Sequence, residues 1–292
     1  MSGPEFDEAQ PWSALDAQAS RVRTPCGRGD MVWRSWGDGG RPLVLLHGGA
    51  GSWLHWIDTI PAFAATRRVV APDLPGLGGS ALPPECASGD DLAAIVAAGL
   101  DEVTGRDSPC DLVGFSFGGV MAGLIASRRS GVRSLTLVGS GGLGVIRGTK
   151  PLQRVRDKTG TARDEAHRAN LHAWMIADPA RIDRRAIAIQ DWNSRHARFD
   201  SRPIGISDLL LAALPNVEAP VIGIWGALDH AMQGEPHRAA AALRAVRPAA
   251  DFRIVPDSGH WVAYERPDLF VPMLQEVLAA AAMPARGRMT AR

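Results

Sequence analysis

The run Cys110-Asp111-Leu112-Val113-Gly114-Phe115-Ser116-Phe117-Gly118-Gly119 constrains this chain more than any other stretch. A short apolar segment leads into Gly-Phe-Ser-Phe-Gly, and the helix-compatible residues Val120 to Arg129 follow. A serine placed where a strand reverses sharply into a helix is strained, and the residues two before and two after it must be small. Gly114 and Gly118 meet that demand. Such a turn holds the Ser116 hydroxyl above a sheet and at a helix N-terminus, whose dipole favours developing negative charge. In a chain with 32 glycines the bland alternative is a chance Gly-x-Ser-x-Gly. The strand before and the helix after favour a nucleophile elbow.

An elbow needs a parallel sheet, and the flanking sequence supplies one. Pro42 to Leu46 is a continuous apolar run, as expected of a strand buried on both faces, and Arg68 to Ala71 reads as a second buried strand; Ser134 to Val138, Ala219 to Trp225 and Asp251 to Val255 read as further strands. Helical stretches are expected at Trp53 to Ala65, Gly89 to Val103, Pro236 to Val246 and Pro267 to Ala282. Between Arg21 and Trp36 the alternation predicts strands with turns at Gly27–Asp30 and Gly37–Gly40. Strand and helix alternate, which argues for an α/β fold with a mostly parallel central sheet flanked by helices. The alternation stops at 143–215, a helical insertion after the sixth strand. Residues 21–142 and 216–282 form the core, 1–20 are expected as a poorly ordered lead-in, and 283–292 as a basic, mobile tail.

Composition narrows the function. Hydrophobic residues make up 46% of the 292, ample for a buried core, and the formal charge is +1 with acids and bases mixed. No electrostatic footprint for nucleic acid or a membrane surface results. Cys26, Cys86 and Cys110 cannot complete a disulfide framework and have no metal-ligand spacing, so no metal is expected and a reducing cytosol fits. The acidic stretch Met1 to Gln10 lacks a signal-peptide layout, and no run reaches membrane-spanning length. The expectation is a cytoplasmic protein whose partner is a small-molecule substrate, with homo-oligomer formation left open.

Ligands of an open parallel sheet bind at the carboxyl ends of its strands. Ser116, Asp229 and His260 each fall in the loop just after a predicted strand, in the order nucleophile, acid, histidine. His260 is placed to take the Ser116 proton and return it to a leaving group, and Asp229 to fix the imidazole tautomer. Asp73 also follows a strand but sits in a Pro-Gly loop and is expected to order that turn. Asp257 is too near His260 in sequence to reach its ring, and His47 is expected to shape the first Gly-rich loop. The oxyanion donors are the backbone N–H groups of Phe117 and Gly49. Gly48 to Gly51 lacks the third glycine of a dinucleotide-binding loop.

His47-Gly48-Gly49, Asp73-Leu74-Pro75-Gly76-Leu77-Gly78-Gly79-Ser80, Gly114 to Gly119, Trp225-Gly226-Ala227-Leu228-Asp229 and Gly259-His260-Trp261 together resemble the α/β-hydrolase superfamily, from about Arg21 to Ala282. The resemblance implies an α/β-hydrolase fold in which 143–215 is a helical cap, and a reaction needing no cofactor. Ser rather than Asp at position 116 disfavours branches with a carboxylate nucleophile. His260-Trp261 and the 48–51 loop are most similar to the meta-cleavage product hydrolases, which split a carbon–carbon bond. Two positions depart from that branch: Phe115 stands where its members carry Asn, and Gln190 where they carry a cap arginine, with Arg184, Arg185 and Arg195 nearby. Losing both polar contacts weakens recognition of a dienol carboxylate. Gly48, Phe115, Trp174, Gln190, Trp192 and Trp261 are the expected substrate-pocket residues. Three functions stay open: a serine hydrolase of small apolar or aromatic esters, a carbon–carbon bond hydrolase, and a non-catalytic small-molecule receptor.

Overall fold

Eight strands form one sheet in the order β1-β2-β4-β3-β5-β6-β7-β8 in the computed structural model, which describes residues 10–85, 87–145 and 150–282. The strands are β1 (Ser20–Cys26), β2 (Gly29–Trp36), β3 (Leu43–Leu46), β4 (Val69–Pro72), β5 (Cys110–Phe115), β6 (Val132–Val138), β7 (Val221–Gly226) and β8 (Asp251–Val255). β1 and β2 pair antiparallel, as do β2 and β4, and every pairing from β4 to β8 is parallel. Alternate side chains of β3 explain the layering. Val44 and Leu46 enter one apolar core, whereas Leu43 and Leu45 enter the other.

Helices cover both faces. In chain order they are α1 (Ser13–Ala17), α2 (Thr59–Ala64), α3 (Gly89–Thr104), α4 (Phe117–Ala126), α5 (Gly160–Trp174), α6 (Arg184–His196), α7 (Arg202–Gly205), α8 (Leu209–Ala213), α9 (Pro236–Val246), α10 (Val262–Glu265) and α11 (Pro267–Ala282). One core holds apolar residues of α3, α4, α8 and α9; the other holds those of α2, α6 and α11. All ten residues of α4, the helix behind the elbow, are buried. Between β6 and β7 the described residues form helices and single turns and no strand.

Two expectations need correction. Trp53 to Ala65 is not one helix but a 3-10 turn, Trp53–Trp56, followed by α2. Pro61 explains the break, since it cannot donate to the Ile57 carbonyl and its ring crowds that group. Residues 10–19, expected within a poorly ordered lead-in, contain α1 (Ser13–Ala17). Trp12 is buried with its ring 6.1 Å from that of Trp192, Trp36 Nε1 donates to the Leu15 carbonyl (2.8 Å), and Arg34 Nε donates to Asp16 (2.7 Å). Residues 1–9, the tail from 283, Cys86 and positions 146–149 of the insertion lie outside the described residues.

The strand order sets where a ligand can enter. From β3 the chain crosses to β4 on one side, then returns to place β5 on the other, so the loops after β3 and β5 part and open a crevice. Those loops are Gly48–Ser52 and the Ser116 turn. Ser116 has φ 51° and ψ −113°, strained backbone for a side-chain-bearing residue. The glycines beside it are required sterically. A β-carbon on Gly114 would lie 2.3 Å from the Gly118 carbonyl oxygen, and one on Gly118 would lie 2.3 Å from the Leu46 carbonyl oxygen. Because the atoms met are backbone, nothing can swing aside. Gly118→Ala is therefore expected to destabilise the fold by ~3 kcal/mol; a urea midpoint equal to that of the unsubstituted chain would contradict the packing described.

Candidate active site

Loops at the carboxyl ends of β3, β5, β6, β7 and β8 come together at the elbow and His260. The elbow is fixed by backbone bonds on both sides: the Ser116 N–H donates to the Val138 carbonyl (2.9 Å), while the Ser116 carbonyl accepts from Gly119 (3.1 Å) and Gly141 (3.2 Å). Ser116 is half-buried, and His260 and Asp229 are buried. His260 Nδ1 lies 2.9 Å from Asp229 Oδ2, and Asp229 Oδ1 accepts from the Ala231 N–H at 2.8 Å. A carboxylate can only accept, so Nδ1 carries the proton and Nε2 keeps a free lone pair.

Two neighbours seat this pair beside the elbow. The Phe115 ring packs against the His260 ring, centroids 4.9 Å apart. Gly139, at the end of β6 with φ +50°, leaves the space the pair occupies; a β-carbon there would lie 3.1 Å from His260 Nδ1 and 3.5 Å from Asp229 Oδ2. Gly139 reads in sequence only as the end of a strand. Its need to be small comes from the approach of two distant loops.

The Gly-rich loop is shaped by histidines. His47 Nδ1–H donates to the Gly48 carbonyl (2.8 Å), and its Nε2 accepts from the Leu74 N–H (2.8 Å), which joins the loops after β3 and β4. His55 Nδ1 accepts from the Gly48 N–H at 3.2 Å. His55 is a residue that sequence pattern did not reveal, since it lies inside the aromatic run Trp53–Trp56. Burial holds both histidines below the ordinary imidazole range, His55 well below it because protonated His47 and His260 would also oppose its charge. Asp73 orders its loop as expected, accepting from Trp53 N (3.0 Å), Gly79 N (3.0 Å) and Arg34 Nη1 (2.9 Å).

Gly49 and Phe117, from different loops, come together: a β-carbon on Gly49 would lie 3.7 Å from Phe117 Cβ. Among the described residues neither N–H has a protein acceptor. Gly48 lies against the Phe115 ring and His55. Trp261 is buried, stacked on Tyr264 (4.3 Å), and donates through Nε1 to the His55 carbonyl (2.8 Å). Other expected pocket residues take other partners. Trp192 stacks on His196 (4.0 Å) and meets Trp12, and Trp174 Nε1 donates to the Lys150 carbonyl (3.0 Å). No described contact brings Trp174, Gln190 or Trp192 to Ser116. Their placement depends on how α5 and α6 pack, which a linear pattern does not contain.

The insertion is anchored to the site by ionic and hydrogen-bonded ties. Buried Glu265 accepts from Gly259 N (2.7 Å), Ala177 N (3.1 Å) and Asp178 N (2.7 Å), so one carboxylate clamps the turn after α5 onto the loop carrying His260. Arg185 forms a bidentate pair with Asp58 (2.9 and 2.6 Å) and donates to the Tyr264 hydroxyl (3.1 Å). Arg195 pairs with Asp191 (2.7 Å), which also binds Arg163 and His167 Nε2 (3.0 Å). Among the described residues no three His, Cys, Asp or Glu side chains gather as a metal site, and no helix is long and apolar enough to cross a membrane.

Comparison with known proteins agrees with this architecture. A family model described as the alpha/beta hydrolase family matches residues 43–273. The dihydrolipoyllysine-residue acetyltransferase component of the acetoin cleaving system of Pseudomonas putida is 32% identical over 245 residues, covering 78% of this chain and 61% of that relative. The chain thus spans less than two thirds of that relative's length. The 2-hydroxy-6-oxo-6-phenylhexa-2,4-dienoate hydrolase of Burkholderia cepacia is 27% identical over 277 residues, covering 82% of this chain and 88% of the relative. Among solved structures, a thermophilic esterase from Thermogutta terrifontis superposes with a TM-score of 0.65 at 22% identity, over 91% of this chain and all of that one.

The buried histidines generate a pH prediction. His47 and His55 have folded pKa values below their unfolded ones, so the unfolded chain binds more protons once the pH drops below about 6.5. Stability present above that value is lost as pH falls through it. Urea unfolding should show a free energy declining between about pH 6.5 and about pH 5, with a slope approaching ~1.4 kcal/mol per pH unit for each histidine. A flat profile across that interval would contradict the neutral, buried assignment.

Proposed function

The chain belongs to the alpha/beta hydrolase family, and from that premise we propose that it is a serine hydrolase with Ser116 as nucleophile, His260 as general base and acid, and Asp229 as the carboxylate that orients it. The observation that carries this proposal is the 2.9 Å bond from His260 Nδ1 to buried Asp229, formed beside a serine held in strained backbone at the head of α4. In the proposed mechanism that bond leaves the Nε2 lone pair available to take the serine proton. Ser116 Oγ attacks a substrate carbonyl carbon as His260 takes its proton, and the tetrahedral oxyanion accepts hydrogen bonds from the Phe117 and Gly49 N–H groups. Collapse breaks the bond to the leaving group, which takes the proton from His260. Water repeats the cycle, releasing a carboxylic acid and free Ser116.

The substrate class we infer is a small apolar or aromatic ester, with the helices of 143–215 as a cap over the site. Phe115 presents an apolar ring beside His260, and two of the three arginines of α6 are already paired, Arg185 with Asp58 and Arg195 with Asp191. Carbon–carbon bond hydrolysis by the same residues is the second reading, favoured by the likeness to the dienoate hydrolase of Burkholderia cepacia. In that route His260 first ketonises the dienol, and the adjacent carbonyl is then attacked. A receptor that binds without turnover is the third.

A parallel assay separates these. p-Nitrophenyl butyrate and a 2-hydroxy-6-oxo-hexa-2,4-dienoate are given to the unsubstituted chain and to Ser116→Ala, His260→Ala and Asp229→Asn. We expect preference for the ester, loss of ~10⁴-fold or more in kcat for Ser116→Ala and His260→Ala, and ~10³- to 10⁴-fold for Asp229→Asn, all with the fold retained. Full activity in Ser116→Ala would remove the mechanism. Preference for the dienoate would move the chain to the carbon–carbon branch, and silence on both substrates would favour the receptor.

A further inference from the structure

Ser201, within the helical insertion just before α7, lies against the proposed oxyanion site. A β-carbon built on Gly49 would stand 2.3 Å from Ser201 Oγ and 3.7 Å from Phe117 Cβ. The hydroxyl therefore occupies the bare face of Gly49, in the small space shared by the two residues whose N–H groups are proposed to hold the oxyanion. Ser201 is only 7% exposed, and none of the side-chain hydrogen bonds among the described residues involves its hydroxyl. Its neighbours turn the other way: Asp200 and Arg202 are exposed and pair with each other (2.8 Å).

The backbone that carries Ser201 is tied to the elbow in two steps. The Ser201 carbonyl accepts from the Gly205 N–H (2.9 Å), and the Gly205 carbonyl accepts from the Gly142 N–H (2.9 Å). Gly141, whose N–H donates to the Ser116 carbonyl, approaches so closely that a β-carbon on it would lie 2.3 Å from the Gly205 carbonyl oxygen. Ser201 is thus held at a fixed place relative to Ser116 by main chain rather than by a mobile side chain. An unpartnered hydroxyl on a buried residue, held in a fixed position beside two free N–H groups, is preorganised for an oxygen that gains charge.

We propose that the Ser201 hydroxyl is a third hydrogen-bond donor to the reacting carbonyl oxygen, supplied by the insertion and not by the core sheet. This rests on the serine-hydrolase reading above. When Ser116 attacks, the carbonyl π pair moves to oxygen and the Ser201 O–H donates to it alongside the Gly49 and Phe117 N–H groups. The proton stays on Ser201, and the bond weakens again when the tetrahedral adduct collapses. The consequence is that the oxyanion site is complete only while α7 rests on the loop after β6.

Ser201→Ala and Ser201→Cys are compared with the unsubstituted chain in p-nitrophenyl butyrate turnover and in affinity for a butyl trifluoromethyl ketone, which forms a tetrahedral oxyanion adduct with a serine nucleophile. For Ser201→Ala we expect kcat to fall by ~10²-fold with KM little changed, and the ketone to bind more weakly by a similar factor. Ser201→Cys, close in size but a far weaker donor, should show the same two losses and keeps the test valid if the alanine variant does not fold. A kcat within about twofold of the unsubstituted chain, or faster turnover as expected of a mere space-filling group, would overturn the proposal. So would slower turnover with unchanged ketone affinity. If the unsubstituted chain neither turns over the ester nor binds the ketone in a Ser116-dependent way, the serine-hydrolase reading fails and this inference with it.

Discussion

The structure depends on a single close approach of main chain to main chain at the elbow. Gly114 touches the Gly118 carbonyl and Gly118 touches those of Leu46 and His47, with no room for a β-carbon at either position. Only such contact lets β5 turn into α4 within one residue, and the turn forces Ser116 into left-handed backbone that costs ~1–3 kcal/mol. That strain persists because the surroundings over-determine it. β5 is fully buried and paired in parallel with both β3 and β6, and α4 is buried along its whole length. A less enclosed helix would relax the turn and lower the serine.

Around that fixed point the other loops are held by groups that stay uncharged or fully paired. His47 and His55 act as neutral hydrogen-bonding hinges for Gly48, and Asp73 satisfies two backbone N–H groups and an arginine at once. Glu265 does the same on the far side, joining the insertion to the His260 loop through three N–H groups. Buried carboxylates with full sets of donors order loops well, because breaking any one bond leaves a buried charge short of partners. The insertion is therefore attached at two points that matter for chemistry: Glu265 beneath His260, and the Gly205–Gly142 contact beside Ser116.

How much of this is legible in the sequence follows from which features are local. The elbow is local: its glycine spacing states the steric demand directly. The meeting of Asp229 with His260 is nearly so, because each follows a buried strand and the sheet brings the strand ends together. Gly49 with Phe117 follows by the same rule. His55, Gly139 and Ser201 are not legible, since each matters through a contact with residues far along the chain. The aromatic residues of the insertion are not local either. Trp192 packs on Trp12 and His196, and Trp12 belongs to a stretch whose prolines and polar residues suggest poor order. Arg34 bridging Asp16 and Asp73 shows what holds that stretch in place.

The central claim is that Ser116 is a nucleophile activated by His260. Its most direct test is reaction of the full chain with a fluorophosphonate, followed by intact mass and peptide mapping. The account predicts one phosphonate per chain, on Ser116, with labelling strongly slowed in His260→Ala. An unlabelled chain, or a label on another serine, would contradict it.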